Sequence, residues 1–489
     1  MKRILWCMVF ALCFCMLLPI MPAEAAVTGM AKDISSSGLF TQINGLGSGE
    51  WLFDGAQGGC VKVGGNSSFT LEDDRGIGSL YFVFDMEYGN YTLTNNDTGE
   101  VMTLGTYGFL HEFVEMKEAA TSVTVTFDNG PVELNEMYVF TEGEVPAHIQ
   151  KWQPPKEGGT DLVLFSTHGD DEHLFFAGIL PYYAAELDYQ VQVVYLTNHR
   201  NLTKERCHEM LNGLWAVGMD TYPVFGNFPD YFCRNMADSY TIYSQQGVTE
   251  EELLAFVVEQ MRRFKPKVAV GHDPINGEYR HGMHMMYADL MMKALEITDD
   301  PQQFPESAET YGTWDVPKTY LHLYPENPIV MDWDQSLSRF YGMTAYEVSK
   351  DLGFTCHVSQ YLDFAWYIAG MDTAAQIPNY NPREYGLYRS TVGADVQKND
   401  FFENVTTYAQ DAAKQAEEDA WLADMQRAEE EARRIEEARV REEAENREET
   451  EPMTDASETG DPLVLACWVT IVLTLLVFVA FCVRKRRGK

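Results

Sequence analysis

Two short segments of this chain gather the side chains from which a hydrolytic metal site is made. One is Thr167-His168-Gly169-Asp170-Asp171-Glu172-His173; the other is Gly271-His272-Asp273, followed by Arg280-His281-Gly282-Met283-His284. Imidazoles and carboxylates are zinc donors, and two His with one carboxylate leave a fourth position open, as catalytic zinc requires. A carboxylate next to such a site can take a proton from the attacking water. Spacing alone leaves plainer readings open. Asp170 and Asp171 could cap a helix. His173 could extend a helix face, and His199, His208, His272 and His322 could be packed polar residues. His281 and His284, three apart, share a face only if their segment is helical.

Each segment follows an apolar run that reads as a buried strand. Leu162-Val163-Leu164-Phe165 leads into the first and Val268-Ala269-Val270 into the second. Between them lie a helical stretch of about Glu172 to Leu187, the run Val191 to Leu196, and helices of about Lys204 to Val217 and Glu250 to Phe264. Alternating buried strands and helices predict an α/β fold with a parallel sheet. Ligands bind such sheets at the carboxyl ends of the strands, where both polar segments fall.

The segment 168–172 resembles the His-Pro-Asp-Asp-Glu signature of the PIG-L/LmbE-type metal-dependent N-deacetylases. His281-x-x-His284 resembles the second histidine pair of that family; Arg206-x-x-Glu209, Gly218, His357-Val358-Ser359-Gln360 and Tyr385-Gly386-Leu387 also fit. The resemblance covers about 160–405 and implies a Rossmann-like deacetylase domain over 156–405. It implies that His168, Asp171 and His284 ligate Zn2+ or another divalent metal. Asp170 would be the general base, and His281 would stabilise or protonate the reacting amide. It further implies an N-acetylated saccharide of N-acetylglucosamine type as substrate. Two departures stand out: Gly169 replaces proline, and Pro274 to Arg280 form an insertion. Arg200, Arg206 and Arg280 could orient sugar groups, although ion-paired structure is the plainer role for Arg206. Aromatics within Phe228–Phe232 could line a subsite or pack in the core. The competing functions are a non-catalytic sugar-binding surface protein and a zinc amidase on a non-sugar amide.

The remainder of the 489 residues frames that domain. Residues 1–25 read as a signal peptide, with Lys2 and Arg3, an apolar run and Ala23-Glu24-Ala25 as cleavage site. Residues 26–150 hold short strand-like runs separated by turn signals, up to Pro154-Pro155. They predict an all-β sandwich that is similar to galactose-binding-like (discoidin-type) domains, with Trp51, Tyr88 and Tyr91 as aromatics that could stack on sugars or be buried. Residues 408–461 read as a charged helical stalk and spacer, and 463–483 as a transmembrane helix followed by a basic cytoplasmic tail, 484–489. The end of the chain also resembles a Gram-positive sorting signal, except that Ser457 stands where that pattern has proline. Hence the expected location is the cell surface, with the C-terminal helix as membrane partner. A net charge of −38, from 74 acidic and 36 basic residues, argues against a nucleic-acid partner. Cys60, Cys207, Cys233 and Cys356 allow three full pairings or none.

Overall fold

The computed structural model describes residues 29–45, 49–55, 59–198 and 205–449. The signal-like segment 1–25, the apolar run 463–483, the basic tail, His199 and Arg200 lie outside the described residues. Among the described residues, no helix is long and apolar enough to cross a membrane.

The first seven strands form one antiparallel sheet. They are β1 (Phe40–Asn44), β2 (Val61–Val63), β3 (Ser67–Phe84), β4 (Tyr91–Asn95), β5 (Val101–Leu104), β6 (His111–Phe127) and β7 (Val132–Phe140), in the order β2-β7-β3-β6-β4-β5 with β1 also on β3. The long strands β3 and β6 pair along both their halves, with a break in register between Glu72 and Ile77. Phe69 and Leu71 before the break, and Leu80, Phe82 and Phe84 after it, bury into one core with Leu93, Val125, Phe127 and Leu134. The sheet therefore folds over on itself. The two layers expected from the sequence belong to a single sheet because β3 and β6 run through both. Tyr88 and Tyr91 are part of this core, whereas Trp51 is 69% exposed.

The second sheet contains β8 (Leu162–Ser166), β9 (Val191–Thr197), β10 (Val224–Phe228), β11 (Val268–Gly271), β12 (Lys318–His322), β13 (Pro328–Val330) and β14 (Glu384–Ser390), in the order β10-β9-β8-β11-β12-β14-β13. The pairs from β10 to β12 are parallel; β14 is antiparallel to β12 and β13. Every residue of β8 and β9 is buried, as expected for strands covered on both faces. Leu162, Leu164 and Val193 meet the helix Glu205–Ala216 on one face. Val163, Phe165 and Val194 meet the helices Glu250–Phe264 and Gly282–Leu295 on the other. The helix expected over 172–187 is interrupted. It runs from Asp171 to Leu174 and resumes as a π-helix over Leu180–Glu186. Between them Gly178 has φ +97°, and a Cβ there would lie 2.5 Å from the Trp333 ring, so a glycine both breaks the helix and admits the indole.

The two sheets meet across an apolar joint. Phe109 stacks on Tyr222 with ring centroids 4.4 Å apart, and Trp152 packs against Trp215 and Tyr222. His111 and His208 lie within this joint, Nε2 to Nδ1 at 2.8 Å. Cys60, Cys207, Cys233 and Cys356 are thiols, none bridged to another. The chain ends its described part in a 42-residue helix, Tyr408–Glu449. From Ala412 onward this is a separate unit, with its side chains exposed and Glu/Arg pairs such as Arg434–Glu430 at i,i+4.

Candidate active site

Parallel pairing of β8 with β11, Leu164 opposite Val270, brings the two polar segments to one end of the sheet. The first leaves β8 as a tight loop and enters the short helix at Asp171. Asp170 occupies the N-cap position, but its side chain makes no capping bond. Its carboxylate turns instead to Arg206, 3.3 Å away. Gly169 is required by Met210: a Cβ at this position would lie 1.9 Å from Met210 Cγ. That contact accounts for glycine where the resemblance expects proline. The second segment starts the helix Gly282–Leu295, with His281 as N-cap and His284 in its first turn. Their rings stack with centroids 4.7 Å apart, so the pair does share a face.

Three donors converge. His168 Nδ1 is 3.1 Å from His284 Nε2 and 3.2 Å from Asp171 Oδ2, and His284 Nε2 is 3.4 Å from Asp171 Oδ1. Zinc bonds of about 2.0–2.1 Å set tetrahedral donors roughly 3.3–3.4 Å apart, so this triangle fits such an ion. Proton bookkeeping agrees. His284 Nδ1 is 2.6 Å from Glu278 Oε2, and His168 Nε2 is 3.1 Å from Asp230 Oδ1. Each imidazole directs one ring nitrogen outward to a carboxylate and the other inward to the shared space. Two ring nitrogens and a carboxylate closing on one space call for positive charge there, which ring protons supply and a metal ion can take over.

His272 and His281 border the same space, each close to members of this set. His272 Nε2 accepts the Thr167 N–H at 3.0 Å, while its Nδ1 donates to Glu278 at 2.9 Å, so both its nitrogens are already engaged. His281 Nδ1 accepts the Met283 N–H at 3.2 Å, which leaves the proton on Nε2. Burial first, then the neighbouring His168 and His284, keep its pKa far below the ordinary value, so His281 is a neutral donor rather than a cation.

Two residues without a motif complete the site. Glu278, within the 274–280 insertion, accepts from His272, His284 and, at 2.6 Å, His322 Nδ1. Backbone turns at Gly277, Tyr279 and Arg280, all with positive φ, carry it inward. Asp230, two residues beyond β10, faces His168 and lies 3.6 Å from Arg206. Its only sequence signal is its place at a strand end. Such outer carboxylates fix ring orientation and raise ligand basicity. Burial pushes the Asp170 carboxyl up to about 7, with Arg206 pulling against it and Asp171 adding to it. For Asp171 burial opposes ionisation, yet His284 and His168 hold its pKa well below the usual range.

Arg206 is buried and ion-paired, the plainer of its two readings, while Arg280 is exposed. Of the aromatics from 228 to 232, Phe228 and Tyr231 pack on the core. Phe232 is 62% exposed and meets the His281 ring edge-on at 5.0 Å. Ser359 caps onto Glu209, its N–H and hydroxyl donating at 2.8 and 2.6 Å.

A parallel α/β domain with a His–carboxylate donor set at its strand ends is the class defined by this fold and site. Residues 163–295 match the family model described as PIG-L: GlcNAc-PI de-N-acetylase. The 1D-myo-inositol 2-acetamido-2-deoxy-alpha-D-glucopyranoside deacetylase 1 of Catenulispora acidiphila is 26% identical over 216 residues, 40% of this chain; the chain spans 65% of that relative's length. Among solved structures, N,N'-diacetylchitobiose deacetylase from Pyrococcus horikoshii is 13% identical, with 47% of this chain and 83% of that one covered at a TM-score of 0.31. A conserved protein from Thermus thermophilus is 16% identical, covering 48% of this chain and 97% of that one at a TM-score of 0.33.

Proposed function

We propose that this protein is a cell-surface hydrolase that removes N-acetyl groups from N-acetylglucosamine-type glycans, with a divalent cation, zinc by donor type, held by His168, Asp171 and His284. The observation that carries the reading is the triangle of inward-facing donors 3.1 to 3.4 Å apart beside Asp170. The family description and the named relatives supply the acetamido-sugar class. The bound ion supplies Lewis acidity and an attacking water that ionises near neutral pH.

The chain's own residues do the rest. Asp170, with its carboxyl lifted to about 7, is suited to take the proton of the attacking water and to pass it to the departing amine nitrogen as the C–N bond breaks. Arg206 anchors its carboxylate at 3.3 Å and so sets its direction. His281 donates its Nε2–H toward the acetyl oxygen as negative charge grows there, which a neutral imidazole does without needing to be protonated first. Phe232 and Tyr279, both beside His281, offer ring faces to a sugar. Placement outside the cell is supported by the Lys2-Arg3 start with Ala23-Glu24-Ala25, and by the apolar run 463–483 before Arg484-Lys485-Arg486-Arg487.

The test measures bound zinc by elemental analysis and acetate release from an N-acetylated chito-oligosaccharide. Asp171→Ala is expected to lose one zinc equivalent and activity together. Asp170→Asn is expected to keep its zinc and lose activity by ~10²–10⁴-fold, the usual share of a general base. Zinc loss in Asp170→Asn with retention in Asp171→Ala would exchange the two roles. Activity unchanged in both variants removes the hydrolase reading.

A further inference from the structure

A second cluster of donors lies on the same loop, directed away from the first. Glu172 and His173 follow Asp171 in the chain, and His357 joins them from the turn after Phe354–Cys356. Glu172 Oε1 is 3.5 Å from His173 Nε2 and 3.6 Å from His357 Nε2. One donor atom of each residue lies within 4.8 Å of the others, and the three side chains are fully buried. These separations are long for hydrogen bonds and close to the donor spacing of about 3.3–3.4 Å around a tetrahedral ion.

Two of the three side chains carry buried polar atoms that make no hydrogen bond of good geometry, with the Tyr195 hydroxyl the other polar group beside Glu172. Neither ring nitrogen of His173 has a hydrogen-bond partner, nor does Glu172 Oε1. The other carboxylate oxygen, Oε2, accepts the Asp170 N–H at 2.9 Å. Among the described residues, no lysine or arginine pairs with Glu172. Burial pushes the Glu172 carboxyl well above the usual range, so the group is ionised only with a cation beside it. The backbone has also been cleared around the cluster. A Cβ on Gly213 would lie 2.7 Å from His173 Nε2 and 2.9 Å from His357 Nε2, and one on Gly353 would lie 2.4 Å from His173 Nδ1. Gly213 is inside the helix Glu205–Ala216, where glycine costs about 1 kcal/mol relative to alanine, so its presence needs a reason of this kind.

We propose that Glu172, His173 and His357 form a second divalent-cation site, of zinc type by its two imidazoles and one carboxylate. Its function is structural: the ion ties the turn at 353–357, across the space left by Gly213, to the loop that carries His168, Asp170 and Asp171. The site neither uses the first site's ligands nor depends on the deacetylase reading.

The experiment strips the full chain with a chelator, refills it with zinc and counts equivalents per chain, alongside thermal unfolding. Wild type is expected to take two equivalents. His173→Leu is expected to take one. Gly213→Ala keeps every donor but puts a methyl group into the cradle, and is also expected to take one and to unfold at a lower temperature once refilled. His284→Ala is expected to lose the other equivalent. A single equivalent in wild type, abolished by His284→Ala and kept by Gly213→Ala, overturns the second site and leaves the first intact. Should a variant fail to fold, zinc-edge anomalous diffraction from wild-type crystals decides. A peak among Glu172, His173 and His357 supports the site; a peak beside His284 alone overturns it.

Discussion

His168 and His208 are both buried, the first at the strand ends and the second at the joint between the sheets, and they prefer opposite charges. At His168 burial works against the proton, but the Asp230 and Asp171 carboxylates overcome it and hold the pKa at about 9. At His208 burial dominates, with only Glu205 opposing, and the pKa falls to about 4; His111 beside it is also pushed well below the ordinary value. What separates the two regions is the carboxylates that face the rings. The strand-end cluster brings negative charge to its histidines and is prepared for a cation. At the joint between the sheets only Glu205 acts against burial, and its histidines stay neutral.

Breaking the carboxylate clamp should have the largest effect. Glu278 accepts from the Nδ1 atoms of three buried histidines. Glu278→Gln removes the charge and sets an amide N–H₂ against ring N–H groups. Removal of one partner from a buried ionic set costs about 3–5 kcal/mol. Loss of an outer-shell partner typically lowers metal affinity ~10–100-fold. Urea unfolding and zinc titration read the two effects. Wild-type values in both would show that His284 is oriented by something other than Glu278.

That residue also marks where the sequence stops being legible. His168, Asp170, Asp171, His281 and His284 could be singled out because motif spacing and strand-end position coincide. The helix expected over about Glu250 to Phe264 runs over Glu250–Phe264, and Thr249 and Glu252 form its capping box. Glu278 was hidden because its inward direction depends on three closely spaced backbone turns at 277, 279 and 280, where only one of the residues is glycine. Asp230 carries no motif, and its partner His168 is distant in sequence. Gly169 made sense only once Met210 was seen against it. The short-range pattern thus pointed to the residues that meet at the strand ends, whereas the groups that orient them depend on long-range packing.

The second expected effect lies on the other side of the comparison. His208 has a folded pKa of about 4 against an ordinary 6.5, so the unfolded chain takes up its proton first as pH falls. Stability from this group is complete above pH 6.5 and is lost progressively toward pH 4, by about 3 kcal/mol at 1.36 kcal/mol per unit. Urea midpoints between pH 7.5 and 4.5 measure it. His208→Gln should flatten the difference between the two ends relative to wild type, while lowering stability at pH 7.5. An unchanged slope would mean that the joint already opens enough to protonate His208 while folded.

The smallest effect is expected from Asp230→Asn, which sharpens the comparison because it removes charge while keeping shape. The amide oxygen can still accept the His168 Nε2–H, now at 3.1 Å from the carboxylate. Arg206, 3.6 Å away, keeps its pairing with Asp170 at 3.3 Å. What disappears is the difference between a charged and a neutral acceptor, about 1 kcal/mol. Zinc affinity should accordingly fall about fivefold, and acetate release by no more than tenfold. Asp230→Ala, which also removes the acceptor and leaves a buried N–H unpaired, should cost more in both. If Asp230→Asn matches Asp230→Ala, the carboxylate acts on His168 through its charge. If it matches wild type, Asp230 acts only by fixing the ring, and the charge that distinguishes this cluster from the His111–His208 joint comes from Asp171 and Glu278.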